Sequence, residues 1–119
     1  MVAVYYSMHT CPPCREFTPL LAALYEEFNE DEKQLEVVFF SGDKTDELFQ
    51  EYYSEMPWVA LPRTEQKLMR ENARNHFKVS GVPTLAMLRP SDGEILSLQC
   101  YPKVRDEGPM AIEEFLAQL

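Results

Sequence analysis

An α/β domain with element order βαβαββα is written into this chain by three features. Val2-Ala3-Val4-Tyr5-Tyr6 and the stretch Leu35 to Phe40 are runs of strand length, rich in β-branched and aromatic residues. Each is followed by a segment of helical period, and strand, helix, strand, helix in succession implies parallel pairing. Farther along, strand-like runs over 84–89 and 94–100 flank Pro90-Ser91-Asp92-Gly93, residue types that suit a tight turn and an antiparallel hairpin. Parallel and antiparallel pairs together make a mixed sheet.

The first run leads directly into a loop with two cysteines, so that loop belongs at the C-terminal end of a buried strand. Beyond it, Phe17, Leu20, Leu21, Leu24, Tyr25 and Phe28 recur at three- and four-residue intervals, with Glu16, Glu26, Glu27 and Glu30 between them. That is the pattern of an amphipathic helix. Pro19 falls inside it and removes one backbone bond, and because the apolar period continues past it, a kink is expected rather than a break. After the second strand, Ser41-Gly42-Asp43-Lys44 reads as a loop, and Leu48, Phe49, Tyr52 and Tyr53 mark a short helix. Met56 to Pro62 reads as irregular, and a further helix is expected from about Thr64 to His76. Pro102 to Pro109 reads as a charged surface loop, and Ile112, Phe115, Leu116 and Leu119 give the apolar face of a last helix.

At 119 residues with 45% hydrophobic content, the chain is expected to form a single domain over 1–119 with a core that needs no disulfide staples. Twenty acidic against 11 basic residues leave a net charge of −9, which disfavours nucleic acid and favours a partner with a basic docking face. No apolar run has the length of a membrane span, and no basic segment precedes Arg15, so no secretory signal or anchor is visible. Three cysteines with one close pair argue against a secreted disulfide framework, and a cytoplasmic, reducing location is expected.

Cys11-Pro12-Pro13-Cys14 carries the chemistry. Two intervening residues let the sulfurs approach bonding distance, and the prolines limit the conformations the loop must lose. A helix starting just beyond Cys11 aims free backbone N–H groups and its positive dipole end at the first sulfur, favouring thiolate. Cys11 is therefore the candidate nucleophile. Cys14, one turn further in, is the candidate resolving thiol that attacks a mixed disulfide to release product. A zinc site is the competing reading, but His9, His76 and Cys100 supply no second ligand pair of recognisable spacing. Two structural core cysteines are another, against which stand the consecutive prolines and the polar approach through Ser7, His9 and Thr10. No metal or organic cofactor is required.

Together these segments resemble the thioredoxin fold, a three-layer sandwich. Cys11-Pro12-Pro13-Cys14 with Pro19 five residues on resembles the family's active-site helix, and Gly81-Val82-Pro83-Thr84-Leu85 resembles its Gly-Ile-Pro-Thr-Leu, whose proline carries a cis peptide bond beside the disulfide. Cys-Pro-Pro-Cys-Arg with Phe-Thr-Pro, the Val37-Val38-Phe39 strand and Met56-Pro57-Trp58-Val59-Ala60-Leu61-Pro62 are similar to the tryparedoxin and nucleoredoxin branch. The resemblance implies a thiol-disulfide oxidoreductase whose Cys11 and Cys14 serve disulfide clients of the peroxiredoxin or glutathione-peroxidase class, with a low-molecular-weight dithiol or a reductase as electron donor. It implies a substrate surface of Thr10, Pro12, Pro13, Trp58, Val82 and Pro83, with the Val82 backbone offered to the substrate; Trp58 is either an aromatic platform there or a core filler.

The chain departs from the family at several positions. Thr10 stands where members usually carry Trp, so part of the partner surface is expected to be missing. Tyr5 stands where thioredoxins place a buried aspartate, so proton transfer is expected through Tyr5, Asp43 or water, Asp43 being otherwise a loop residue. His9 either reaches Cys11 and favours its thiolate or is a solvated surface histidine. Gln99-Cys100-Tyr101 replaces arginines of the last strand, and Cys100 reads as a small strand-end hydrophobe or a glutathionylation site. The family's additional N-terminal strand is expected to be absent, which would leave Leu35 to Phe40 as a sheet edge open to homodimer pairing. The rival to catalysis is a non-catalytic, redox-sensing protein-binding module, toward which Thr10 and the short N-terminus lean.

Overall fold

A computed structural model describes residues 1–62 and 67–119. Its elements are β1 (Val2–Ser7), α1 (Pro12–Phe28), β2 (Glu36–Ser41), α2 (Asp46–Tyr53), β3 (Val59–Ala60), α3 (Lys67–His76), β4 (Thr84–Leu88), β5 (Ile95–Ser97), α4 (Tyr101–Glu107) and α5 (Pro109–Leu116). The strands form one sheet in the order β3-β2-β1-β4-β5. β1 runs parallel to β2, and β2 to β3, while β4 is antiparallel to both β1 and β5.

Period-two alternation along β1 builds two cores. Ala3 and Tyr5 lie in register with Val37 and Phe39 on one side and with Met87 and Leu85 on the other. These residues face Phe17, Leu21, Leu24 and Phe28 of α1, Phe49 and Tyr52 of α2, Val104 of α4 and Phe115 of α5. Val4 and Tyr6 point the opposite way and pack with Phe40, Ala86, Ala73 and Phe77 under α3. Helices thus cover both faces of a mixed sheet, which is the thioredoxin arrangement expected from the sequence.

Local chemistry sets the boundaries. Cys11 caps α1 with prolines in its first turn, and the helix runs unbroken through Pro19. Asn29 closes the turn into β2 by accepting from the Gln34 and Leu35 N–H groups and donating to the Leu35 carbonyl. Thr45 caps α2 through the Leu48 N–H at 3.2 Å, with Asp46 and Glu47 in the dipole's favour in the first turn. Gly93 takes a φ of 75° in the hairpin turn, where a side chain would be strained.

Four sequence expectations need correction. The segment 102–109 is not a loop: Pro102 occupies the first turn of α4, a position that tolerates its missing N–H, and Val104 anchors that helix in the core. Within the stretch read as irregular, Val59 and Ala60 pair with Val38 and Phe39. β2 is therefore an interior strand and β3 lies at the edge, so the bare edge on which homodimer pairing was expected does not exist along Val38 and Phe39. Leu119, expected on the apolar face of the last helix, lies beyond its end and is exposed. The helix expected from Thr64 is seen from Lys67, its expected start lying outside the described residues. Among the described residues, no helix is long and apolar enough to cross a membrane.

Two outcomes follow from this packing. Phe39 is fully buried among the rings of Tyr5, Phe49, Tyr52 and Tyr53, so Phe39→Ala should cost roughly 3–5 kcal/mol in urea unfolding. A loss below about 1 kcal/mol would contradict the packing. Burial pushes the Cys100 thiol from 9.0 up to about 12. Below pH 9 folded and unfolded chains both hold that proton; between about 9 and about 12 only the folded chain does, so stability falls as pH rises. Cys100→Ala should flatten the fall in urea midpoint between about pH 8 and about pH 10, and an unchanged slope would contradict the assignment.

Candidate active site

Strand β1 ends at Ser7, and the chain turns at once: the Cys11 N–H donates to the Met8 carbonyl at 3.2 Å and the Arg15 N–H to the Cys11 carbonyl at 3.1 Å. This places Cys11 on the N-terminus of α1. Its Sγ accepts from the Cys14 N–H at 3.4 Å, and the two cysteines form a disulfide with their Cα atoms 5.2 Å apart. Cys11 is partly exposed and ringed by exposed Thr10, Pro12 and Pro13, whereas Cys14 has no exposed surface. One sulfur is offered to a partner and the other is kept behind it.

The second wall of the site comes from the turn into β4. The Val82–Pro83 peptide bond is cis, Val82 is half-buried, and its carbonyl oxygen lies 3.9 Å from Cys11 Sγ. Thr84 donates from its hydroxyl to the Gly81 carbonyl at 2.6 Å, tightening the turn. Beside Val82, on the face covered by α3, a cavity is lined by Tyr6, Met8, Phe40, Asp43, Arg74 and Val79 among others.

Behind Cys14 lies a cluster of hydroxyls that sequence reasoning did not foresee. Thr18 Oγ1 is 2.8 Å from the Tyr5 hydroxyl and 2.6 Å from that of Tyr52, and the Tyr52 hydroxyl is 2.5 Å from Ser7 Oγ. Thr18 donates to the Cys14 carbonyl at 2.9 Å, and the Tyr5 and Tyr52 hydroxyls both reach it at 3.4 Å. All four residues are buried, and neutral hydroxyls that satisfy one another avoid the cost of an unpaired buried charge. Thr18 was legible as the residue one turn after Cys14. Tyr52, from a helix after β2, was not.

The remaining predicted residues separate into those at the reacting sulfur and those that support it. Burial, with the Tyr52 ring beside it, raises the Tyr5 phenol far above the usual tyrosine range, so Tyr5 stays protonated and serves as a hydrogen-bonding group rather than a titrating relay. Asp43 is buried, with Oδ1 accepting the His9 N–H at 2.8 Å and Oδ2 the Ser41 hydroxyl at 2.7 Å, so it braces the loop before Cys11. His9 is not a solvated surface residue: its side chain is 15% exposed, its ring lies 5.3 Å from that of Tyr52, and Nε2 is 3.7 Å from Glu51. Among the described residues no hydrogen bond joins His9 to Cys11. Trp58 is the core filler of its two readings, packed edge-on against Tyr5 and Tyr25 and 3% exposed, so it offers no substrate platform. Cys100 is buried with Sγ 3.2 Å from the Leu85 carbonyl, which fits the hydrophobe and not a modifiable thiol.

Comparison with known proteins places this geometry. The thioredoxin-like family model matches residues 1–95. Nucleoredoxin of Homo sapiens is 41% identical over 98 residues, covering 82% of this chain but 22% of that protein, so this chain spans a minor part of such relatives. Tryparedoxin of Trypanosoma brucei brucei is 38% identical over 106 residues, 89% of this chain and 72% of that one. Among solved structures, tryparedoxin II complexed with glutathionylspermidine superposes with a TM-score of 0.80 at 36% identity, over 89% of this chain and 72% of that chain. The family model covers most of this chain, including Cys11, Cys14 and the Val82–Pro83 turn, and the chain belongs to the thioredoxin-like family.

Proposed function

We propose that this chain is a thiol-disulfide oxidoreductase of tryparedoxin type, working through the Cys11 and Cys14 couple. The observation that carries the reading is the asymmetry of the pair: one sulfur partly exposed on a helix N-terminus, the other fully buried one turn on. In the reduced state the free N–H groups and dipole of α1 favour the Cys11 thiolate. That thiolate attacks one sulfur of a client disulfide, forming a mixed disulfide and expelling the client's other sulfur as thiolate. Cys14 then passes its proton to the client thiolate just expelled and attacks Cys11 Sγ, breaking the mixed disulfide and releasing the second client thiolate. The client gains two electrons and two protons, one from Cys14 and one from solvent; Cys11 and Cys14 lose two electrons and become the disulfide. A donor dithiol returns them by the reverse exchange.

The clients proposed are peroxidases of the peroxiredoxin or glutathione-peroxidase class, and the donor a low-molecular-weight dithiol or a reductase, in a reducing compartment such as the cytoplasm. Net charge supports cationic partners: at −9 the chain attracts a basic docking face or a polyamine-linked thiol, and the tryparedoxin II structure holds glutathionylspermidine. The cavity gives a client side chain room beside Val82, whose carbonyl lies 3.9 Å from Cys11 Sγ.

The two cysteines should fail differently. Cys11→Ser should lower turnover of a protein disulfide by more than about a thousandfold, since the other two cysteines, Cys14 and Cys100, are both buried. Cys14→Ser should retain the attack but not the release, accumulating a covalent adduct between Cys11 and the client, seen by non-reducing electrophoresis and mass. Equal residual turnover in both variants, or an adduct that survives Cys11→Ser, would overturn the assignment.

A further inference from the structure

Ladder pairing between β4 and β5 reaches no further toward the active site than Met87 with Ser97; closer in, a backbone bond from the Cys100 N–H to the Leu85 carbonyl at 2.7 Å is joined by a side chain. Gln99 Oε1 accepts from the Leu85 N–H at 3.0 Å and from the Tyr101 N–H at 3.1 Å. Its Nε2 donates to the Pro83 carbonyl at 3.1 Å and to Thr84 Oγ1 at 3.3 Å. The partners fix which end is which, because two are N–H groups that only donate and one is a proline carbonyl that only accepts. The carboxamide therefore makes two accepted and two donated bonds.

What the clamp joins is the surface around Cys11. Pro83 follows Val82, whose carbonyl lies 3.9 Å from Cys11 Sγ. Tyr101 opens α4, and its ring meets that of Phe17 edge-on at 4.9 Å, less than one turn past Cys14 on α1. One side chain thus ties the turn before β4, the start of β4 and the start of α4 into a single unit. No charge, cap or apolar periodicity calls for glutamine at this position.

We propose that Gln99 is a positioning residue for macromolecular clients: its carboxamide holds the Val82 to Thr84 backbone against the Cys11 sulfur, where an extended peptide bearing a disulfide lies down. This rests on the exchange activity proposed above and adds no chemical step to it. A small disulfide needs only the sulfur, so its reduction does not use the clamp.

Gln99→Met keeps the length of the side chain and removes all four hydrogen bonds; Gln99→Glu keeps the two accepted ones. With insulin as the polypeptide disulfide and dithiobis(nitrobenzoate) as the small one, Gln99→Met should raise KM for insulin about tenfold, leave kcat for insulin little changed, and leave the small disulfide within about twofold of the parent. Gln99→Glu should fall between. Amide hydrogen exchange at Leu85 and Tyr101 should accelerate in Gln99→Met. An unchanged KM for insulin, or parallel losses on both substrates tracking a lower thermal midpoint, would overturn the inference. A parent protein that reduces neither substrate would overturn the exchange reading itself and this inference with it.

Discussion

Strand β1 is paired along both edges, parallel to β2 and antiparallel to β4, and these two ladders fix where the reacting sulfurs stand. The cysteine loop leaves the end of β1, so Cys11 is delivered to the same end of the sheet at which β4 begins. β4 begins just after Pro83, and Val82 reaches the sulfur from the turn that enters this neighbouring strand. A slip of one residue in the β1 and β4 register would turn Tyr5 toward α3 and carry the hydroxyl cluster away from Cys14. Sheet register and redox site are thus parts of one constraint.

The cluster behind Cys14 shows how a buried position can be polar without being charged. A carboxylate at the position of Tyr5 would be desolvated, and the strong upward shift of the Tyr5 phenol shows how little a charge is supported there. Tyr5, Ser7, Thr18 and Tyr52 instead satisfy one another and the Cys14 carbonyl. They hold the first turn of α1 in place, which keeps the N-terminal N–H groups aimed at Cys11.

Much of this was legible in the sequence because it rests on local pattern. The apolar runs at Val2 to Tyr6 and Leu35 to Phe40, the helical period from Phe17 to Phe28 and the Cys11 to Cys14 spacing each contain their own explanation. The misreadings come where one signal admits two structures. Pro102 marks a loop or the first turn of a helix, and only the burial of Val104 decides between them. Val59 and Ala60 form too short a strand, between two prolines, to show a period. Trp58 stood open between platform and core filler, and His9 between Cys11 and solvent; the rings that decide them, Tyr25 and Tyr52, come from other helices. Apart from Tyr101, the side-chain hydrogen-bond partners of Gln99 and Tyr52 lie 14 or more positions away, and no local pattern announces such contacts.

The central claim is that Cys11 and Cys14 form one reversible two-electron couple of a dithiol reductant. An equilibrium titration in defined thiol-disulfide buffers, quenched by alkylation and read by the mass of the parent and of Cys11→Ser, tests it directly. The account predicts a single internal couple between roughly −200 and −280 mV in the parent, none in Cys11→Ser, and Cys100 unalkylated in the folded protein. An internal disulfide that never forms at equilibrium, or a pairing that involves Cys100, would contradict it.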